Sequence, residues 1–502
     1  MEYLVVKEVT KTFGPVIAND KVNLSIRKGE VHAILGENGS GKSTLMNIIS
    51  GIYAQDSGEI YLDGKQSTIS SPEEAIKLGV GMIHQHFKLI NVLSALDNIV
   101  GGMDTAFVLP RKKVRREILG LCKKYGFDID LDKKVYNMSI SEKQNVEIIK
   151  ALYRGASLLI LDEPTAVLTP QETERLFAIL RDMKKENCAI IIITHKLNEV
   201  MSVSDRVTVF RKGSSVATVN TAQTSAQELT EMMVGRRIDL QIERPDIDKS
   251  LSRPVVKVKE LTVVDHMRKT RINHVDLTIN SHEILGIAGI AGSGQKELCE
   301  ALTGQIKASG SIEVEGQEII GNPPSTLQKM GIHIGFVPED RLGMGLVGGM
   351  SVQDNVILKS YRDTKGLFMD RKAAQEKANS IIERYEVSTP GSSQIIKRLS
   401  GGNIQKVLLG REIDANPRFL IAAYPVRGLD IGASYFVYDR LNEQKKAGVA
   451  ILLVGEDLDV LMALCDRIAV IHDGKIMGIV NAASTTKEQL GLMMIGETGG
   501  VA

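Results

Sequence analysis

The run Gly36-Glu37-Asn38-Gly39-Ser40-Gly41-Lys42-Ser43-Thr44 satisfies the pattern G-x-x-x-x-G-K-[ST] at every specified position. These residue types suit a phosphate. Glycines let the backbone curl so that successive N–H groups face one anion. A helix starting there adds its partial positive charge. Lys42 would reach the β- and γ-phosphates of a nucleotide, and the Ser43 hydroxyl suits a Mg²⁺ ligand. Two acids, Asp162 and Glu163, close the apolar run Leu158-Leu159-Ile160-Leu161. Asp162 would hold Mg²⁺ through water, and Glu163 would polarise the water that attacks a γ-phosphate. His195 closes a second apolar run, Ile191-Ile192-Ile193-Thr194, where a γ-phosphate contact is wanted. His84 and His86 flank Gln85, but their i, i+2 spacing without a third ligand is poor for a metal. They read better as a polar strand end facing the nucleotide. Phe13, in the turn Lys11-Thr12-Phe13-Gly14-Pro15, either stacks on adenine if exposed or packs into a core.

These groups need particular elements to hold them. Val31-His32-Ala33-Ile34-Leu35 reads as a buried strand before the glycine loop, and Leu45-Met46-Asn47-Ile48-Ile49 as the start of a buried helix after it. Residues 1–33 alternate apolar and polar around short turns, as antiparallel strands do. Residues 90–155 are helical by pattern and contain the turn Met138-Ser139-Ile140-Ser141-Glu142-Lys143-Gln144, followed by the amphipathic run Val146–Leu152. The continuous run Leu158–Leu161 fits a buried parallel strand, and α/β folds bind ligands at the carboxyl ends of such strands.

The chain has 502 residues, too many for one core. Lys plus Arg is 62 against 61 Asp plus Glu, a net charge of +1 that removes the usual footprint of a nucleic-acid surface. The basic run Arg111-Lys112-Lys113-Val114-Arg115-Arg116 reads as a solvated helix start. No apolar run approaches the ~18 residues of a membrane span. Met1-Glu2-Tyr3 carries an acid and enters a strand-like run directly, unlike a signal peptide. Cys122, Cys188, Cys299 and Cys465 are scattered, as expected of buried free thiols in a cytosolic chain.

The chain also repeats itself. Gly289-Ile290-Ala291-Gly292-Ser293-Gly294-Gln295-Lys296-Glu297 resembles the first glycine loop about 253 residues on. Leu399-Ser400 matches Met138-Ser139, and Asp466-Arg467-Ile468 matches Asp205-Arg206-Val207, both about 261 residues on. Markers in one order at a near-constant offset mean two tandem copies of a domain. The expected division is 1–236 and 255–502, joined by a polar, exposed linker at 237–254.

Loop, glutamine, turn, acid pair and histidine, in this order and twice over, resemble an ATP-binding-cassette (ABC) ATPase along essentially the whole chain. Glu163-Pro164-Thr165-Ala166-Val167-Leu168-Thr169-Pro170, Val337-Pro338-Glu339-Asp340-Arg341, Leu399-Ser400-Gly401-Gly402-Asn403 and Arg427-Gly428-Leu429-Asp430-Ile431-Gly432-Ala433 resemble the tandem-cassette subunits of bacterial sugar and nucleoside importers. His84-Gln85-His86-Phe87 is nearer the nucleoside branch. The resemblance implies an α/β fold with two tandem P-loop cassettes. Each would have an α/β core, an antiparallel β subdomain and a helical subdomain. It further implies that ATP and Mg²⁺ bind, that Phe13 stacks on adenine, that Gln85 senses Mg²⁺ and a membrane partner, and that His195 contacts the γ-phosphate. The implied partners are two integral membrane permease subunits and an extracytoplasmic solute-binding protein, with one tandem chain per transporter. The location would be peripheral, on the cytoplasmic side of the cell membrane. The rival reading is a soluble tandem-cassette ATPase acting on ribosomes or DNA. The near-zero net charge, the short joint and the absence of cysteine clusters argue against it.

In that family each nucleotide is held by the phosphate loop of one cassette and the signature turn of the other. Lys42 and Ser43 are matched by Gln295 and Lys296, Asp162 and Glu163 by Ala423 and Tyr424, Gln85 by Glu339 and His195 by Glu456. The first signature reads Ser139-Ile140-Ser141-Glu142 and the second Ser400-Gly401-Gly402; Thr169 matches Asp430. The altered residues therefore sort. One site, built from Lys42, Asp162, Glu163, Gln85 and His195 with Ser400, Gly401, Gly402 and Asp430, is intact. The other is not, although its glycine loop survives and Lys296, one position late, could partly replace the missing lysine.

Overall fold

The computed structural model describes residues 2–85, 87–103, 110–166, 168–194, 196–235, 241–361 and 370–497. The backbone divides into two units, Met1–Asp239 and Leu240–Ala502. His86 and His195 lie outside the described residues.

The first unit is organised on a six-stranded sheet in the order Ser214–Asn220, Arg206–Arg211, Val31–Gly36, Ala189–Thr194, Leu158–Asp162, Val80–Ile83. Neighbours are parallel except the outer Ser214–Asn220. A separate antiparallel sheet has the order Val16–Arg27, Glu2–Phe13, Ser57–Leu62, Lys65–Gln66. The helices Ala95–Val100, Arg111–Tyr125 and Ile140–Tyr153 supply a third part.

Burial on both faces explains the unbroken apolar runs. Leu158 and Ile160 point into a core shared with the antiparallel sheet and the helix Lys42–Ile49. Leu159 and Leu161, one residue out of phase, enter a second core with Ile148, Ile149 and Phe177 from the helices. Every strand of this kind leaves its carboxyl end at one edge, and there the chemistry-bearing residues follow.

The second unit repeats the plan. Its large sheet has the order Ile334–Val337, Phe419–Ala423, Ala450–Val454, Ile284–Ala288, Arg467–His472, Lys475–Asn481, the first unit's order read from the other end. Its antiparallel sheet is Thr270–Asn280, Pro254–Val264, Ser309–Val314, Gln317–Glu318. Residues 242–245 run against this unit. Ile242 packs on its core, Arg244 donates to the Cys465 carbonyl at 2.6 Å, and buried Lys445 donates to the Pro245 carbonyl at 3.3 Å.

Phe13 is not in the turn but is the last residue of its strand, paired with Val16 across Gly14-Pro15. The run Arg111–Arg116 starts the helix Arg111–Tyr125, with only Val114 of it buried. All four cysteines are buried and free, with burial holding the Cys122 thiol up at about 11. Among the described residues no helix is long and apolar enough to cross a membrane.

Candidate functional site

The first glycine loop leaves its strand at Gly36 and ends at Gly41, where the helix Lys42–Ile49 begins. Gly39 and Gly41 have φ of 78° and 99°, a region that favours glycine. Space is also closed to a side chain at Gly41: a Cβ there would lie 2.4 Å from the Ala18 carbonyl oxygen. Gly41 caps the helix without a side chain, so the first-turn N–H groups are left for another acceptor. Lys42 is buried beneath the loop, and its Nζ donates to the carbonyls of Gly36 and Glu37, both at 2.8 Å. Burial lowers its pKa, while Glu163, Asp162 and Glu37 oppose that. Glu37 is half-buried, Asn38, Gly39 and Ser43 are exposed, and Thr44 is half-buried.

The acids stand beside Lys42. Asp162 ends its strand and Glu163 turns away with φ of 47°, its N–H donating to the Ile193 carbonyl at 2.9 Å. Gln85, two residues past the neighbouring strand, donates from Nε2 to the Glu163 carboxylate at 3.0 Å. Burial, and then the charge of Glu163, push the Asp162 carboxyl up to about 6, with Lys42 opposing. Lys42, Asp162, Glu163 and Gln85 therefore form one polar group at the carboxyl edge of the sheet.

His84 goes elsewhere. It lines a cavity of about 230 Å³ with Lys88, Glu147, Lys150 and Arg154. Burial, then Lys88, lowers its pKa. Phe13 is 43 % exposed and meets Tyr53 edge-on, with ring centroids 5.3 Å apart.

Two buried polar atoms near the loop have no partner among the described residues, Ser40 Oγ and Asn19 Oδ1. Asn19 is fully buried and donates from Nδ2 to the Gly41 carbonyl at 3.0 Å. Reading the sequence did not single it out. The repeat contains the clue: Gly41 lies against Asn19, whereas Gly294 lies against Ile272. A polar brace under one loop is an apolar contact under the other. A curled loop of glycine amides, a buried lysine and orphaned polar atoms fits the phosphates of a nucleotide.

The second loop keeps the backbone without the charge. Gly292 and Gly294 have φ of 89° and 111°. Gln295 donates from Nε2 to the Ile290 carbonyl at 2.9 Å, so a neutral amide takes the place that Lys42 takes under the first loop. Lys296 is exposed and sits 3.7 Å from the Glu300 carboxylate. Tyr424 repeats the left-handed backbone of Glu163, with φ of 48° and its N–H on the Val454 carbonyl at 2.8 Å. Burial, then Glu456 and Glu339, raises its phenol pKa. Arg427 fills the gap between the replaced positions, pairing with Glu339 and, at 3.4 Å, with Glu456.

The two signature turns differ as well. Ser139 and Glu142 form a reciprocal capping box at the start of Ile140–Tyr153, and Lys133 holds Glu142 at 2.7 Å. Ser400 caps the helix Gly401–Asp414 through Asn403, leaving glycines in its first turn. Asp430 caps the helix Ile431–Lys446, accepting from the Ala433 N–H at 2.6 Å. Its other oxygen would lie 3.6 Å from a Cβ on Gly402. Within the second unit, Ser400, Gly401, Gly402 and Asp430 are thus brought together.

A family model described as ABC transporter matches residues 19–166 and 272–426. The chain is 42 % identical over 498 residues to the nucleoside import ATP-binding protein NupA of Lactococcus lactis subsp. cremoris, covering 97 % of each chain. It is 42 % identical to the guanosine import ATP-binding protein NupO of Bacillus subtilis, over 99 % of this chain and 98 % of that one. To a ribose import ATP-binding protein RbsA of Lactococcus lactis subsp. cremoris the identity is 38 %, over 96 % of this chain and 97 % of that one.

Proposed function

Because the chain belongs to the ABC transporter ATPases, with two cassettes in tandem, we propose that it energises import of a nucleoside through separate permease subunits. A simple sugar is the second choice of cargo. The nucleoside reading is supported by the names of two relatives at 42 % identity, against a ribose protein at 38 %. The complex would hold two integral membrane permease chains, an extracytoplasmic solute-binding protein and one copy of this chain. It would sit peripherally on the cytoplasmic face of the cell membrane, without nucleic acid.

One observation carries the catalytic reading: Lys42, Asp162, Glu163 and Gln85 converge in the first unit, and the second has Gln295, Ala423, Tyr424 and Glu339 in their places. The hydrolytic site would take its loop (Gly36–Thr44), acids, Gln85 and His195 from the first unit. Its signature turn, Ser400-Gly401-Gly402, and Asp430 would come from the second. Phe13 would stack on adenine. Loop amides and Lys42 would bind the β- and γ-phosphates, and glycine N–H groups at the second signature would stabilise charge as the γ-phosphoryl leaves. Glu163, oriented by Gln85, would take a proton from the attacking water. Ser43, Gln85 and Asp162, the last through water, would hold Mg²⁺, which neutralises phosphate charge when bound. The site around Tyr424 would hydrolyse nothing, because a phenol stands in the place of Glu163 and the neighbouring carboxylates of Glu339 and Glu456 are paired with Arg427.

Uptake tests the cargo. Cells whose only copy is the Lys42→Ala variant should lose uptake of labelled guanosine while retaining ribose uptake. Loss of ribose uptake with guanosine uptake intact would overturn the nucleoside reading.

A further inference from the structure

We propose that Arg341 is a positioning residue for ATP hydrolysis, bracing the second unit's signature turn against the loop that leads to Asp430. The proposal rests on the assignment of Ser400-Gly401-Gly402 to the nucleotide.

The guanidinium joins two separate elements. Nε donates to Gln405 Oε1, on the signature helix, at 2.8 Å, and Nη2 donates to the Arg427 carbonyl. Nη1 lies beside the turn itself, 3.6 Å from where a Cβ on Gly401 would stand. Asp430 follows Arg427 by three residues, and its carboxylate reaches back to Gly402. Arg341 thus bonds to the helix and to the loop, and the loop runs on to Asp430, whose carboxylate stands where it would meet a side chain on Gly402 of the same helix. A planar fork with fixed donor directions can hold two acceptors at once, which an ammonium on a flexible stem does poorly.

Both ends of the brace are themselves fixed. Asp340 accepts from the N–H groups of Leu342 and Gly343, at 3.2 and 2.8 Å, and so shapes the turn that presents Arg341. The Arg427 side chain is pinned between Glu339 and Glu456. Gln405 is buried, and its Nε2 has no partner among the described residues, so the bond from Arg341 is what anchors that side chain.

The first unit lacks this device. Two residues beyond Gln85 stands Phe87, where two beyond Glu339 stands Arg341. Gln144, the counterpart of Gln405, donates to the Pro164 carbonyl at 3.0 Å, and the signature serine is boxed by Glu142. The arginine accompanies the turn that carries the glycines. Glycines give a turn open donors but little stiffness, and an external brace supplies what they lack.

The test uses the full chain with Arg341→Ala, Arg341→Lys, Gln405→Leu and the Ala/Leu double variant. Arg341→Ala should lower kcat by about 10- to 100-fold, the scale expected when reacting groups drift by about an ångström. In a Glu163→Gln background it should loosen ATP but leave ADP affinity unchanged, because ADP has no γ-phosphate for the turn to meet. Arg341→Lys should not restore the rate, Gln405→Leu should share part of the loss, and the double variant should be no worse than Arg341→Ala. Wild-type kcat in Arg341→Ala, equal weakening of ATP and ADP, full rescue by lysine, or simple additivity would each overturn the proposal. If the alanine variant does not fold, Arg341→Lys and Gln405→Leu carry the test. A fast Ser400→Ala variant would instead point to failure of the underlying site assignment.

Discussion

Replacing Glu163 with Gln removes one charge and little else. The side chain keeps its length, and a glutamine Oε1 can still accept from Gln85 Nε2, a bond of 3.0 Å in the native chain. The left-handed backbone at φ of 47° is the same demand on either residue. What disappears is the base. General-base catalysis contributes about 10²- to 10⁴-fold, or about 2.7 to 5.4 kcal/mol of barrier. No carboxylate waits at the equivalent position of the second unit, where Tyr424 stands. Steady-state phosphate release should therefore fall to about 1 % or less. ATP should bind at least as tightly, because a carboxylate that repels its phosphates and competes for Lys42 is gone. Tyr424→Phe, the control, should leave turnover within about twofold, since its hydroxyl takes no part in proton transfer. Phosphate release and filter binding on the two variants decide the matter. Retention of more than about a tenth of the turnover by Glu163→Gln would refute the assignment of the base.

Asn19→Ile, which copies the second unit's Ile272, should weaken ATP binding by about fivefold by removing a buried bond to the Gly41 carbonyl, worth about 1 kcal/mol; equilibrium binding checks it. Gly402→Ala should slow hydrolysis at least about tenfold without lowering the melting temperature, since alanine suits a helix better than glycine but sets a methyl 3.3 Å from Ala433 Cβ beside Asp430. Asp162→Asn should stabilise the nucleotide-free chain. The Asp162 pKa is raised on folding to about 6, so its ionised form is penalised above that pH. The gain, on the order of 3 kcal/mol, should be fully present above pH about 6 and vanish as pH falls towards the unfolded value near 4. Denaturant melts from pH 4 to 8 read the sign directly.

The repeat, the sheet strands and the convergence of Lys42 with Asp162 and Glu163 were legible because each rests on local residue types. A strand buried on both faces must be apolar throughout, as Leu158–Leu161 is. A loop at φ of 99° with no room for a Cβ must be glycine. Asn19 was not legible, and the strings holding Arg341 and Arg427 carry a family likeness without revealing a role, because the meaning of all three lies in partners distant along the chain. Asn19 looks like one polar residue on a strand until Gly41 is set above it. Arg427 looks like a loop arginine until Glu339 and Glu456 close on it. The spacing predicts Phe13 in the turn, but it ends the strand one residue earlier, since the chain reverses only at Gly14-Pro15. A polar strand end at His84 predicts a side chain facing the nucleotide, but Gln85 reaches Glu163 and His84 lines a separate cavity.

The central claim is that catalysis draws on the first unit's acids and the second unit's signature. Ser139→Ala and Ser400→Ala test it most directly, because each removes a serine N-cap, worth about 1 kcal/mol, from equivalent helices, and Ser139→Ala breaks a capping box as well. The stability loss should be at least as large for Ser139→Ala, so a lower ATP turnover in Ser400→Ala reports the site and not the fold. Ser400→Ala should be strongly impaired and Ser139→Ala should hydrolyse ATP like the native chain. The opposite pattern, or equal impairment of both, would contradict the account.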